Sequence, residues 1–245
     1  MTAVLVIAGC DSSGGAGLTR DVCTLTQLDA RALPVVTAVT AQSDARLHAV
    51  HVVPAELVRA QMAAAFTTCG IDAIKIGMLA TAATVRAVAA SLPATGPPVV
   101  LDPVLTSSSG GELLDRDGRA ALCAMLLPRA TLLTPNIPEA AALLGTRSAR
   151  DEDERLRQAA ALLALGARAV LLKGGHADGP EAADLLLTAD AAPHWLRAPR
   201  SPAPRRGTGC ALSAAIAAGL AAGLPLSAAC EEAKQHVTQL LQQRD

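Results

Sequence analysis

Short, almost wholly apolar runs that end abruptly in polar or glycine-rich motifs, each followed by a helix-like stretch, decide most about this chain. Residues 4–8 run into Gly9-Cys10-Asp11-Ser12-Ser13-Gly14-Gly15-Ala16-Gly17, and residues 34–41 into Gln42-Ser43-Asp44. Residues 73–77 lead to Met78-Leu79, and 97–101 to Asp102-Pro103-Val104. Residues 130–133 lead to Thr134-Pro135-Asn136-Ile137-Pro138-Glu139, and 167–172 to Lys173-Gly174-Gly175-His176. Such runs suit strands buried on both faces. Between them, Leu18, Val22, Leu25 and Leu28 stand at helical spacing over residues 18–28. Residues 54–67, 81–92, 112–127, 151–166 and 226–243 read as further helices. Residues 182–187 are expected as an edge strand, and Trp195 in another short strand. The expectation is α/β: a three-layer fold with a mostly parallel central sheet, helices on both faces, and one domain spanning 1–245. Sheets of this kind bind ligands beyond the carboxyl ends of their strands. Every polar motif above falls at such an end, which points to one site and a nucleotide-using enzyme.

Composition excludes several partners. The 245 residues are 51% hydrophobic, enough for a sizeable core, and the formal net charge of −1 gives no reason to expect nucleic acid or a membrane surface. Phe66 and Trp195 are the aromatic residues, so no platform exists for stacking bases. The six cysteines show no CxxC spacing, which argues against a disulfide framework or zinc site. Five are expected as small apolar core residues, and only Cys210 has a chemical context. The histidines form no HxxxH pattern, and His48, His51, His194 and His236 are expected at the surface or in loops. Met1-Thr2-Ala3 lacks the basic region of a secretion signal. Residues 211–230 approach the length of a membrane span and contain Gly219-x-x-x-Gly223, but they are Ala- and Gly-rich with Pro225 inside, so a buried helix is expected. The protein is expected in the cytoplasm.

Chemistry concentrates in Arg206-Gly207-Thr208-Gly209-Cys210-Ala211-Leu212-Ser213. Glycines there allow a tight turn, and a helix starting at that point aims free N–H groups and its positive dipole end at a phosphoryl group. Cys210 falls in the first turn, where that potential favours a thiolate. A plain loop before a buried helix explains the same residues. The loop 9–17 lacks Gly-Lys-Ser/Thr and GxGxxG, which disfavours a Walker loop and a dehydrogenase. Gln42, just past a strand, can donate and accept in one plane, as the edge of a heterocycle requires. Asn136 and Glu139 lie one helical turn apart. They suit either a hydrated hard cation beside phosphates or a simple capping box. Lys173, where an apolar strand meets glycines, is poorly explained by packing and could neutralise a transferring phosphoryl group.

Taken in order, residues 7–17, 37–42, 74–78, 101–104, 134–139, 173–176 and 207–210 resemble hydroxymethylpyrimidine/phosphomethylpyrimidine kinases of the ribokinase-like superfamily. The likeness runs from about Val4 to the last helix. It implies an ATP- and Mg-dependent enzyme of thiamine biosynthesis. Such an enzyme phosphorylates 4-amino-5-hydroxymethyl-2-methylpyrimidine and then adds a second phosphate to the monophosphate. It further implies that Gln42 reads the pyrimidine edge, with Gly9, Asp11, Gly15, Ala16, Val39 and Met78 lining the pocket. Asp102, Asn136 and Glu139 match the polar group near the nucleotide, with Asp102 and Glu139 towards the metal. Lys173 matches the phosphate lysine and Thr208 also approaches the nucleotide. Gly207, Thr208 and Gly209 match the anion hole, and Cys210 the catalytic base. A homodimer is expected. Arg206 replaces the histidine usual before Gly-Thr-Gly-Cys, and residues 197–205 are Pro/Arg-rich instead of carrying the expected Asp/Thr/Asn pattern. Arg20 replaces a small or neutral residue, and the sequence stops at Asp245 without the usual Gly- and His-containing tail. A pyridoxine/pyridoxal kinase and a non-catalytic pyrimidine-binding regulator are the competing readings.

Overall fold

The structure is a computed structural model that describes residues 1–43, 45–107, 110–175, 179–201 and 206–242. Its centre is a nine-stranded sheet. The strands are β1 Ala3–Asp11, β2 Arg31–Gln42, β3 Leu47–Val52, β4 Ala73–Ile76, β5 Val99–Leu101, β6 Leu132–Leu133, β7 Ala169–Leu172, β8 Glu181–Thr188 and β9 His194–Pro199. They lie in the order β3-β2-β1-β4-β5-β6-β7-β8-β9. The block from β2 to β7 is parallel, and β3, β8 and β9 join antiparallel.

The helices are α1 Gly17–Gln27, α2 Ala55–Thr68, α3 Ala82–Ser91, α4 Arg116–Ala121, α5 Ile137–Leu144, α6 Glu152–Ala164, α7 Thr208–Ala221 and α8 Leu226–Gln242. Because strand side chains alternate, β1 feeds two cores. Ala3, Leu5 and Ile7 pack with Val58, Met62, Val85, Ile137 and Leu162 from α2, α3, α5 and α6. Val4, Val6 and Ala8 pack with Leu18, Leu25, Leu212, Ile216 and Ala229 from α1, α7 and α8. Helices therefore cover both faces, as the apolar runs required. α7 is buried along most of its length, which is why Ala dominates it: small side chains let it lie close to the sheet.

Several boundaries differ from the sequence reading. β1 runs on to Asp11, so Gly9 and Asp11 belong to the strand, and the loop proper begins at Ser12. β3 was not anticipated, because its exposed Leu-His-Ala-Val-His-Val lacks a buried run; pairing with β2 creates it. β8 was expected at an edge but is flanked by β7 and β9, and its Ala183–Leu187 segment is buried. The helix expected over 112–127 is shorter: α4 begins where Asp115 accepts from the Gly118 N–H at 2.6 Å. It then widens over Leu122–Leu126 and tightens over Leu127–Arg129, where Pro128 removes a donor. Residues 211–230 divide between α7 and α8, and among the described residues no helix is long and apolar enough to cross a membrane. Of the five cysteines expected in the core, only Cys230 is buried; Cys10, Cys69 and Cys123 are half-buried and Cys23 is exposed. His48 and His51 are exposed on β3, while His194 lies on β9 and His236 on α8. His176, and residues 202–205 of the Pro/Arg-rich connection, lie outside the described residues.

Candidate active site

The first turn of α7 sits where the two halves of the sheet's carboxyl edge meet. Gly207 precedes it with φ of 73°, a left-handed conformation, and no side chain among the described residues caps the helix start. The amides of that turn are therefore without a side-chain cap, a natural seat for an anion. A Cβ on Gly207 would collide with the Gly15 carbonyl oxygen, so only glycine brings the two loops this close. On the other side, a Cβ on Gly209 would stand 3.2 Å from Lys173 Nζ.

Lys173 and Asp102 form the charged floor. Lys173 Nζ donates to Asp102 Oδ1 at 2.7 Å, and the Thr134 hydroxyl donates to the same oxygen at 3.2 Å. The Ser213 hydroxyl on α7 donates to Asp102 Oδ2 at 3.3 Å. Burial pushes the Asp102 carboxyl up, but Lys173 and Lys75 outweigh it and hold the group below its ordinary value. Burial likewise works against the Lys173 ammonium, and Asp102 and Glu139 reverse it, raising its pKa. Lys173 is placed because its N–H donates to the Pro135 carbonyl at 2.8 Å, just beyond β7. The next amide, Gly174 N–H, donates to Asp184 Oδ1 at 2.7 Å.

Asn136 and Glu139 form a reciprocal capping box. The Asn136 N–H donates to Glu139 Oε2 at 2.7 Å, and the Glu139 N–H to Asn136 Oδ1 at 2.8 Å. The simpler of the two sequence readings thus accounts for their spacing. Burial lifts the Glu139 carboxyl to about 7 despite the pull of Lys173. No group of three or more His, Cys, Asp or Glu positioned for a metal occurs among the described residues.

Cys210 does not carry the thiolate expected at a helix start. Burial pushes its thiol up to about 11, and the opposing influence of Lys75 does not compensate. Lys75 lies within the 74–78 motif, which by itself assigned it no role. It projects from β4 onto the face of α1 and α7, where its Nζ lies 2.7 Å from Asp21 Oδ2, with both side chains 0% exposed. A lysine inside Ala-Ile-Lys-Ile was the available signal, since a fully buried lysine needs an acidic partner. Thr134 and Ser213 were missed too, because one hydroxyl carries no pattern until the fold sets it beside Asp102.

The pyrimidine-side candidates gather around the loop after β1. Gly9 lies under Met78, which is buried, and the Thr37 hydroxyl donates to the Met78 carbonyl at 2.6 Å. Val39 is 45% exposed. The Gln42 N–H donates to Ser12 Oγ at 2.9 Å, and the Ser12 hydroxyl donates back to the Gln42 carbonyl at 3.2 Å. Gly15 and Ala16 abut Gly207. Arg20 Nε donates to the Gly15 carbonyl at 3.5 Å. Asp11 is paired with Arg206 at 2.9 Å and accepts the Ser13 N–H at 3.0 Å. The candidates thus form two clusters joined through the start of α7. A cavity of ≈ 280 Å³ lined by Leu92, Pro93, Arg129 and Arg168 opens near the amino ends of β4–β7 and contains none of them.

A mostly parallel sheet, an anion cradle at a helix start and a lysine beside it define an α/β phosphotransferase. The chain belongs to the phosphomethylpyrimidine kinase family, whose model matches residues 11–245. It is 45% identical over 241 residues to a hydroxymethylpyrimidine/phosphomethylpyrimidine kinase of Rhizobium meliloti, covering 97% of this chain and 90% of that one. The crystal structure of phosphomethylpyrimidine kinase from Clostridium difficile superposes with a TM-score of 0.85 at 33% identity, covering 98% of this chain and 100% of that one. A Staphylococcus aureus pyridoxal kinase in complex with pyridoxal superposes with a TM-score of 0.91 at 30% identity, covering 99% and 88%. The architecture is ribokinase-like, and a kinase of this family takes its phosphoryl group from ATP.

Proposed function

We propose that the protein transfers the γ-phosphoryl group of ATP to the hydroxymethyl oxygen of 4-amino-5-hydroxymethyl-2-methylpyrimidine, and then a second phosphate to the monophosphate, in thiamine biosynthesis. The observation that carries this reading is the uncapped first turn of α7, set between Lys173 and the Gly15–Gly17 loop. Phosphoryl transfer asks the protein mainly for positioning and charge stabilisation. In this reading Gly9, Asp11, Gly15, Ala16, Val39 and Met78 surround the pyrimidine, and Gln42 reads its edge. The amides of Gly207, Thr208 and Gly209 receive the charge that develops on the phosphoryl oxygens, and Lys173 neutralises it from the opposite side. Thr208, Asp102, Asn136 and Glu139 border the nucleotide.

Cys210, held as a thiol by burial, orients the substrate hydroxyl; it can take the hydroxyl proton only as thiolate, after its own proton has passed to solvent or a phosphate oxygen, so the transfer comes late. A loose transition state tolerates so late a transfer. The donors Asp102 and Glu139 suit a hard cation: all are oxygens, and too few for a closed protein cage. Mg would be held by these carboxylates together with water and the phosphates, and would offset charge on the triphosphate. We further read residues 1–245 as one kinase domain, because one sheet gathers strands from Ala3 to Pro199. We place it in the cytoplasm as a homodimer, with the free edge of β3 as the face for a second copy.

Mass spectrometry of products from the pyrimidine alcohol and Mg-ATP tests the reading. One or two added phosphates support it. The likeness to the Staphylococcus aureus pyridoxal kinase favours a second reading, in which pyridoxal is the acceptor, so pyridoxal is run in parallel. Binding of the pyrimidine without ADP release would instead mark a regulator.

A further inference from the structure

Arg206 replaces the residue usual before the Gly-Thr-Gly-Cys turn, and its side chain reaches the end of β1, the loop after it and the segment after Gln42. Its Nη2 donates to Asp11 Oδ2 at 2.9 Å, at the end of β1. Its Nη1 donates to the Ser13 hydroxyl oxygen at 2.9 Å and to the Ser43 carbonyl at 3.3 Å, one residue past Gln42. Nη1 also stands 3.4 Å from where a Cβ on Gly15 would lie. The side chains of Arg206 and Asp11 are 15% and 5% exposed, so the pair is shielded from solvent. Arg206 directly precedes Gly207, whose left-handed turn aims the amide cradle.

We propose that Arg206 is a positioning residue: a strap that fixes the pyrimidine loop and the segment after Gln42 to the phosphoryl cradle, and cancels the Asp11 carboxylate in the pyrimidine pocket. This rests on the kinase reading and specifies how that site is assembled. A guanidinium offers two parallel donors in a rigid fork, which fixes distance and angle together. In-line transfer needs the attacking oxygen within about 3–3.5 Å of phosphorus, and a misplacement of about 1 Å costs roughly 10²-fold. The hydroxymethyl group is placed by the 9–17 loop and Gln42, whereas the phosphoryl group is placed by 207–210. Arg206 connects the two.

Two measurements test this. In steady-state kinetics, Arg206→Ala raises the pyrimidine KM about tenfold or more and lowers kcat about 10²-fold, while the ATP KM stays within about twofold. Adding Asp11→Asn to Arg206→Ala recovers at least about threefold of the lost kcat/KM, because the uncompensated buried carboxylate is gone. Arg206→Lys, with charge but no fork, falls between wild type and Ala. In hydrogen exchange on the protein alone, Arg206→Ala speeds exchange in peptides spanning 9–17 and 206–212 and leaves β7 unchanged. A wild type inactive on both pyrimidine and pyridoxal, with the exchange coupling intact, sinks the kinase reading and keeps the strap. Arg206→Ala with unaltered exchange, or with the ATP and pyrimidine KM rising in equal measure, overturns the strap.

Discussion

Lys75→Met tests the largest electrostatic commitment in the fold. Lys75 and Asp21 meet at 2.7 Å with both side chains 0% exposed, and among the described residues Asp21 Oδ1 has no hydrogen-bond partner. Burial lifts the Asp21 carboxyl to about 6 from an ordinary value of 3.8, even with Lys75 pulling it down. Burial opposes the Lys75 ammonium, but Asp21 raises its pKa above the ordinary 10.5. The sign follows for each group. Between 3.8 and about 6 the folded wild type holds a proton that the unfolded chain has lost, so Asp21 makes stability fall as pH rises, and above about 6 its effect is level. Lys75 contributes stability that is complete below 10.5 and lost only as pH rises past its folded pKa, so it is constant over the range tested. Without Lys75, Asp21 rises further, and stability keeps falling above pH 6 by about 1.4 kcal/mol per pH unit. From pH 6 to pH 8 that adds roughly 3 kcal/mol to the deficit. This agrees with the roughly 3–5 kcal/mol typical of breaking a buried pair. Urea denaturation of wild type, Lys75→Met and Lys75→Met/Asp21→Leu at pH 5.5, 7 and 8 measures it. The double variant, with no buried charge, is expected within about 2 kcal/mol of wild type at pH 8. A deficit equal at pH 5.5 and 8, or a double variant as unstable as the single one at pH 8, refutes the reasoning.

Lys173→Met is expected to lower kcat about 10²–10³-fold by removing the cation beside the cradle. In denaturation it is also less stable than Asp102→Asn/Lys173→Met, because the single variant leaves Asp102 buried without its ion-pair partner. Cys210→Ala is expected to lower single-turnover kcat about 10²–10⁴-fold. Peptide-resolved alkylation of Cys210 in the wild type should keep accelerating up to a midpoint near 11; a plateau near neutrality would contradict a thiol held neutral by desolvation. Gly207→Ala is expected to lower kcat about 10²-fold or more, since the added methyl forces the Gly15 carbonyl away, and loss of stability without loss of turnover would argue against the cradle.

How far the sequence carries depends on how local each feature is. The parallel core was legible because strands buried on both faces must read as unbroken apolar runs, and Val4–Ala8 and Ala169–Leu172 do. β3 was not, because an exposed edge strand takes its identity from the partner it pairs with. The motif residues could be named, but how they are engaged was open. Asn136 and Glu139 each give one side-chain oxygen to the other's N–H in a cap, and the Asp11 carboxylate is taken up by Arg206 and Ser13. Cys210 shows the limit most clearly. Its place at a helix start argued for a thiolate through the local dipole, whereas its ionisation answers first to desolvation by segments distant in sequence. Positive potential at the α7 turn therefore goes unused by the thiol, and in the proposed reaction the turn's amides serve the phosphoryl oxygens instead. A base that is thiolate before substrate arrives would set a negative charge against the incoming triphosphate. A neutral thiol avoids that repulsion, and its own proton must leave before the sulfur can accept one from the substrate hydroxyl.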